Sequence, residues 1–301
     1  MSRPAPIPRR HALRQGPVVR ALLSTGIAAV RGSRPTHVEL PSPALRQTVA
    51  PRPQELIRDY VRHCGGDPSW YRGIVPAHLF PQWGFPLLAR NLHQIPYDVR
   101  KVLNGGCRIE VHRPLPAGER LVLEAVLEDI DDNGRRAVLK NRLTTGTTST
   151  PGAITAWMYA IVPLPRAPGA PGVKKERPRV PVDAVERGRF QLTPQHAVDF
   201  AVLTGDFNPI HWLRPYARMA GFESTILHGF ATLAYAIEAL NHNRFSGDVR
   251  SLRTIDVRFT RPLILPATVG LYVRGDELFV GTAPGGPAHL TGTFEETSIH
   301  G

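Results

Sequence analysis

Apolar residues fall into two alternating arrangements along the chain, and each predicts its own kind of element. Between residues 51 and 63, Leu56, Ile57, Tyr60 and Val61 recur at helical spacing behind Pro51 and Pro53, which predicts an amphipathic helix. A longer apolar run over residues 80–92 reads as a second helix, although Pro86 disturbs its first turns. Strict alternation takes over at residues 107–112. Runs at 121–130, 137–144 and 153–162 read as strands, the first two joined by the turn signal Asp131-Asp132-Asn133-Gly134. The succession then returns. A helix at 195–203 follows Thr193-Pro194, a strongly helical stretch runs from Gly229 to about residue 240, and strands follow at 251–260, 267–274, 277–282 and 288–294. Helices followed by consecutive antiparallel strands predict an α+β fold, not alternating βαβ units.

The recurrence has a fixed offset. Phe80 stands 148 residues before His228, each opening a long apolar segment, and Arg113-Pro114-Leu115 stands 148 residues before Arg261-Pro262-Leu263. An equal offset at two places so far apart predicts two related modules, at 40–162 and 183–298. Residues 163–182 between them hold six prolines and five basic residues and read as an extended spacer.

Charge changes the picture modestly. The net charge is +12, with 33 arginines and four lysines spread along the chain. Such an excess attracts polyanions, but no zinc-ligand spacing, heptad zipper or aromatic-basic motif points to a specific nucleic-acid partner. Residues 1–39 carry seven arginines and no acidic residue before Glu39; they read as a basic, poorly ordered arm, with an organelle-import segment as the alternative. No apolar run approaches the ~20 residues needed to span a bilayer. Cys64 and Cys107 lack metal-ligand spacing and are expected to be buried apolar residues. A cytoplasmic location follows from these features, with a mitochondrial one as the alternative.

Candidate chemistry concentrates in two stretches. Thr204-Gly205-Asp206-Phe207-Asn208-Pro209-Ile210-His211 holds a carboxylate and an imidazole on either side of an Asn-Pro turn. Folded back across that bend, Asp206 and His211 can hold one water and move protons to and from it; a buried salt-bridged pair is the alternative. The answering stretch, Ile226-Leu227-His228-Gly229-Phe230, leads into the long helix. Gly229 would then offer an unhindered N–H at the positive end of a helix dipole, suited to a polarised carbonyl oxygen.

Thr-Gly-Asp-x-Asn-Pro-Ile-His, then Ala220-Gly221-Phe222, then Ile-x-His-Gly before a helix, resembles the signature of the MaoC-like, or type 2, enoyl-thioester hydratases. The match is specific over residues 197–240 and looser to about 294. The resemblance implies the hot-dog fold, a curved antiparallel sheet wrapped around a long helix, here as two tandem modules. It implies reversible hydration of trans-2-enoyl thioesters to (3R)-3-hydroxyacyl thioesters. Neither a metal nor a redox cofactor is expected; coenzyme A or phosphopantetheine enters only as part of the substrate, so the expected partner is an acyl-CoA or acyl carrier protein thioester. A pair of double modules is possible.

Within that resemblance, Asp206 and His211 are the acid–base pair, Gly229 the oxyanion donor, and Asn208 the support of the turn. Arg258 and Arg261 are weaker candidates for the carrier's phosphates, and Tyr235 for the substrate pocket. The first module keeps Gly65-Gly66-Asp67-Pro68-Ser69-Trp70 but no Asn-Pro-x-His, and Phe80-Pro81 replaces His228-Gly229. One active site per chain is therefore expected, with the first module shaping the substrate pocket. A thioesterase and a non-catalytic acyl-thioester binder are the rival readings.

Overall fold

The computed structural model describes residues 7–20, 38–92, 95–98, 102–165 and 176–297. Ten strands pair antiparallel in one sheet: β1 Leu45–Val49, β2 Leu103–Val111, β3 Leu121–Asp132, β4 Arg136–Gly146, β5 Ile154–Pro163, β6 Val185–Leu192, β7 Leu252–Phe259, β8 Ala267–Arg274, β9 Glu277–Gly281 and β10 Ala288–Glu296. Their spatial order is β1-β3-β4-β5-β2-β7-β10-β9-β8-β6. Each half thus repeats one order, first-third-fourth-fifth-second, and the halves meet back to back through β2 and β7. Among the described residues six α-helices accompany them: α1 Arg10–Leu13, α2 Gln54–His63, α3 Pro81–Asn91, α4 Pro194–Thr204, α5 Arg214–Met219 and α6 Gly229–Asn243. This is the double hot-dog arrangement, with α3 and α6 as the module helices.

The register confirms the internal repeat. On β2 and β7, Arg108 lies opposite Asp256, with Cys107 opposite Val257 and Ile109 opposite Ile255. Arg108 and Asp256 are themselves 148 residues apart, so the offset that relates the modules also relates the central pair. Exchanging the modules maps the Cys107–Val257 pair onto the Ile109–Ile255 pair, which is what a pseudo-twofold axis through the seam requires. Phe80 and His228, 148 residues apart, are the N-caps of α3 and α6.

Helix α6 is the element the core closes on. Every residue from Phe230 to Asn241 is buried, as expected of a helix apolar on nearly all sides. One continuous core runs from Leu56 and Tyr60 of α2, through Leu233 and Leu240, to Leu290 and Phe294 of β10. Cys64 and Cys107 are free thiols inside it. Among the described residues no helix is long and apolar enough to cross a membrane.

Two strands and part of the arm depart from the sequence expectation. β1 and β6 are the two ends of the sheet order, and as edge strands they bury little and show weak apolar alternation. Residues 7–20 pack instead of lying free. His11 is buried and hydrogen-bonds Asp59 of α2 at 2.7 Å, Arg14 pairs with Glu55, and Val18 is buried. Carboxylates on α2 offset the charge that made the arm read as unpacked. Residues 1–6 and 21–37 of the arm and 166–175 of the spacer lie outside the described residues.

Candidate active site

The site begins where α4 ends. Thr193 opens that helix, its N–H donating to His196 Nδ1 at 3.0 Å, and Pro194 occupies the first helical position. Gly205 closes it in the left-handed conformation, φ +87°, with its N–H on the Ala201 carbonyl at 2.7 Å. That reversal leads the chain into Asp206. Asn208 then caps a short 3-10 turn, Pro209–His211, by accepting from the Ile210 N–H at 3.3 Å. Asn208 is exposed, and its amide oxygen serves the turn that brings His211 round.

Two strand-like segments hold the other wall. The Leu227 N–H donates to the Leu263 carbonyl at 2.8 Å, and the Leu265 N–H to the Thr225 carbonyl at 2.9 Å. His211 Nδ1 lies 2.8 Å from the Ile226 carbonyl. A carbonyl can only accept, so Nδ1 carries the proton and Nε2 keeps its lone pair. His228 Nε2 lies 2.9 Å from the Asp206 carbonyl, which fixes the opposite tautomer. The two imidazoles stack at 3.6 Å between centroids and 26° between planes. One polar atom from each of Asp206, His211 and His228 falls within 4.8 Å of the others.

Burial keeps both rings neutral. It lowers the His211 pKa, with the Asp206 charge drawing it back up. It holds His228 well below the usual imidazole value, and His211 lowers it further. The trio has a spacing a metal ion could use, but one nitrogen of each ring already donates to a backbone carbonyl and the rings lie face to face. What the arrangement offers directly is a carboxylate beside an imidazole with one free basic nitrogen, both partly open to solvent.

Gly229 is the first residue of α6, so its N–H has no carbonyl one turn back to donate to. Its missing side chain has a second reason. A Cβ there would lie 2.7 Å from the Phe259 ring. Phe230 packs edge-on against Phe259, Phe80 and Phe85, with centroids 5.4–5.7 Å apart. Both modules thus contribute to an aromatic wall beside the N–H.

The weaker candidates divide. Phe259 faces Gly229, so Arg258, its neighbour on β7, points to the opposite face of the sheet. There it pairs with Asp256 and lies over the Tyr159 ring, 4.1 Å from the centroid; it is not brought to the site. Arg261 follows Phe259 and precedes Leu263, close to the entry of α6, with its Nε buried and unpartnered. Tyr235 is buried deeper on α6, its hydroxyl 3.4 Å from His63 Nε2 and its ring near Phe190 and His196. Its contacts are with α2, α4 and β6, not with Asp206 or His211.

Two contributors were not foreseen. His228, given no role by the sequence beyond opening the long helix, stacks on His211 and holds the Asp206 backbone. Its place directly before Gly229 was the available signal. Gln15, in the basic arm, is fully buried and donates to the Val202 and Leu203 carbonyls at 3.2 and 2.9 Å. Its own oxygen accepts from Gln82 of α3 at 2.9 Å, and Gln15 and Val18 pack against Gly205. Nothing in an isolated glutamine could have announced that.

Comparison with known proteins places this geometry. A model of the MaoC like domain matches residues 175–277. The chain is 30% identical over 206 residues to 3-hydroxyacyl-thioester dehydratase X of Mycobacterium tuberculosis, covering 66% of this chain and 70% of that one. The chain belongs to the MaoC-like dehydratases. Another member, the peroxisomal enoyl-CoA hydratase 2 of Arabidopsis thaliana, is 30% identical over 179 residues, which span 54% of this chain but only 56% of the plant enzyme. The crystal structure of HtdX of Mycobacterium tuberculosis superposes with a TM-score of 0.66 at 20% identity, over 85% of this chain and all of that one. The Gly205–His211 turn, His228 and Gly229 all fall inside the matched domain.

Proposed function

We propose that this MaoC-like chain reversibly hydrates trans-2-enoyl thioesters to (3R)-3-hydroxyacyl thioesters, with Asp206 and His211 as its acid–base pair. The observation that carries the reading is the free Nε2 of a neutral His211 beside the Asp206 carboxylate, at the N-terminus of a helix whose first N–H belongs to Gly229. In the hydration direction a water sits between the carboxylate and Nε2. One of the pair removes its proton as the oxygen bonds to C3. The C2–C3 π electrons move onto the thioester, whose oxygen takes the enolate charge against the Gly229 N–H and the helix dipole. The proton taken from the water, shared within the pair, is then delivered to C2, so one water is added across the double bond with no net redox change. Dehydration is the same path reversed.

The aromatic wall of Phe80, Phe85, Phe230 and Phe259 supports an apolar acyl chain beside C3, and Arg261 is the nearer cation for a carrier phosphate. The carrier is coenzyme A or the phosphopantetheine of an acyl carrier protein. The test is loss of the enoyl-thioester absorbance with crotonyl-, octenoyl- and dodecenoyl-coenzyme A and with the same acyl groups on a carrier protein. Disappearance of the band with (3R)-hydroxyacyl product is the expected result. Release of free thiol instead would mean thioester hydrolysis, and acyl-thioester binding without turnover of any substrate would sink the enzyme reading.

A further inference from the structure

The first module carries a different polar group at the place the internal repeat assigns to the acid–base pair. Gly65 follows α2 with φ +86°, as Gly205 follows α4 with φ +87°. Asp67 then caps a 3-10 turn opening at Pro68, accepting from the Ser69 N–H at 2.8 Å, just as Asn208 caps the turn opening at Pro209. Asp67 is therefore the counterpart of Asn208, not of Asp206. The first turn is one residue shorter, so Gly66 alone stands where the second has Asp206 and Phe207, and Trp70 stands where His211 does.

The space is not left apolar. A Cβ on Gly66 would lie 2.3 Å from a carboxylate oxygen of Glu238, so a carboxylate from α6 of the other module occupies the room an aspartate side chain would take. Glu238 is fully buried. It accepts from the Tyr71 hydroxyl at 2.9 Å and the Asn241 amide at 3.1 Å, and lies 3.2 Å from His78 Nε2. The Asn241 amide oxygen is buried with no hydrogen-bond partner among the described residues.

Tyr71, His78 and Asn241 line one cavity, together with apolar residues such as Ile74, Ile237 and Ile255. Its exposed lining residues include Arg113, Arg250 and Arg253. Among the described residues none of these arginines pairs with a carboxylate; Arg253 reaches only the His112 carbonyl, at 3.4 Å. Arg113 is also the counterpart of Arg261 at the catalytic end.

We propose that this cavity is a second ligand site, for a short acyl chain bearing an anionic head. The apolar walls take the chain, the unpaired arginines take a carboxylate or phosphate, and the Asn241 oxygen is a buried acceptor left for the ligand or its water. It is a binding site, not a second catalytic one, because Glu238, tied to Tyr71 and Asn241 and lying against His78, is not among the residues that line the cavity. The choice of an acyl chain rests on the proposed function; the cavity and its charge do not.

The test is calorimetric titration of the full chain with hexanoyl-coenzyme A and, separately, with hexanoate. It compares wild type with Ile74→Trp, which fills the cavity, and with the surface double variant Arg250→Glu/Arg253→Glu. Two binding events per chain are expected with at least one probe. The second should weaken about tenfold or more in both variants, while KM for crotonyl-coenzyme A stays at the wild-type value. Response to hexanoate assigns a carboxylate head, and response to the thioester alone assigns the coenzyme's phosphates. A single event with both probes overturns the proposal, as does a second event unchanged by the charge reversal. Loss of the second event in a chain that hydrates nothing would keep this site and reject the proposed reaction.

Discussion

The turn after α2 and the turn after α4 are built alike, yet only one carries an acid–base pair. Each leaves its helix through a glycine in the left-handed region, and each uses a short polar side chain to cap a 3-10 turn that starts with proline. The difference lies in three places: Gly66 alone for Asp206 and Phe207, Trp70 for His211 and Phe80 for His228. Backbone reversal and chemistry are thus separable. Caps and glycines hold the turn with local hydrogen bonds, while the reactive groups depend on what the partner module packs against them. Near the second site the other module contributes Phe80 and Phe85, packed on Phe230 at the start of α6. At the first turn it contributes the carboxylate of Glu238, which leaves no room for a side chain at Gly66.

The largest expected effect tests the side that carries the pair. Asp206→Asn and His211→Ala should each lower kcat by about a thousandfold, as loss of a positioned acid or base does, with circular dichroism showing both variants folded. Gly229→Ala should come next. Its Cβ meets the Phe259 ring at 2.7 Å, displacing the N–H from the thioester oxygen. A loss of about a hundredfold in kcat with about 1–3 kcal/mol of stability is expected; an unchanged kcat would remove Gly229 from the oxyanion role.

The first turn yields the converse experiment. If the missing aspartate were all that separated the two sites, Gly66→Asp would move the first towards activity. With Asp206→Asn in the background it should instead restore nothing. It should also lower the denaturation midpoint by an amount equivalent to about 2 kcal/mol or more, since the new side chain meets Glu238 in a buried space. Any regained hydration would break the comparison.

Proton linkage reports on the buried imidazoles at and near the catalytic turn. Burial lowers the pKa of His63 to about 3 and also lowers those of His211 and His228. The unfolded chain takes up protons at these rings near pH 6.5 while the folded chain does not, so stability is full above that range and falls as pH drops through it. For His63 the slope should approach about 1.4 kcal/mol per pH unit, with His211 and His228 adding in the same direction, measurable as denaturation midpoints between pH 7.5 and 5. The pH at which kcat/KM falls should lie below that of an ordinary imidazole base, because burial lowers the His211 pKa. A half-loss of activity near pH 6.5 would contradict this environment.

The smallest effect concerns the strap behind the catalytic turn. Gln15→Ala leaves the Val202 and Leu203 carbonyls without their buried donor and Gln82 without its acceptor. Destabilisation of about 1–3 kcal/mol is expected, with a smaller fall in kcat than any change at Asp206 or His211. An unaltered thermal midpoint would show that residues 7–20 do not brace the site.

Local chemistry was legible in the chain itself. Periodicity located α2, α3, α4 and α6 and the eight inner strands, because each buries a face whose spacing shows in the apolar residues. The 148-residue offset revealed the duplication, and Asp206, Asn208, His211 and Gly229 stood out because turn and helix-start chemistry is written in neighbouring residues. Long-range partners were not legible. β1 and β6 carry little apolar alternation as edges of the sheet. Gln15 meets carbonyls nearly two hundred residues away, Arg258 falls on the face of β7 opposite Phe259, and Glu238 takes the place of a side chain in the other module. Such pairings are decided only when the sheet registers and the modules close on α6. Sequence determined which groups this protein owns and the turns that present them; tertiary structure decided which of them meet.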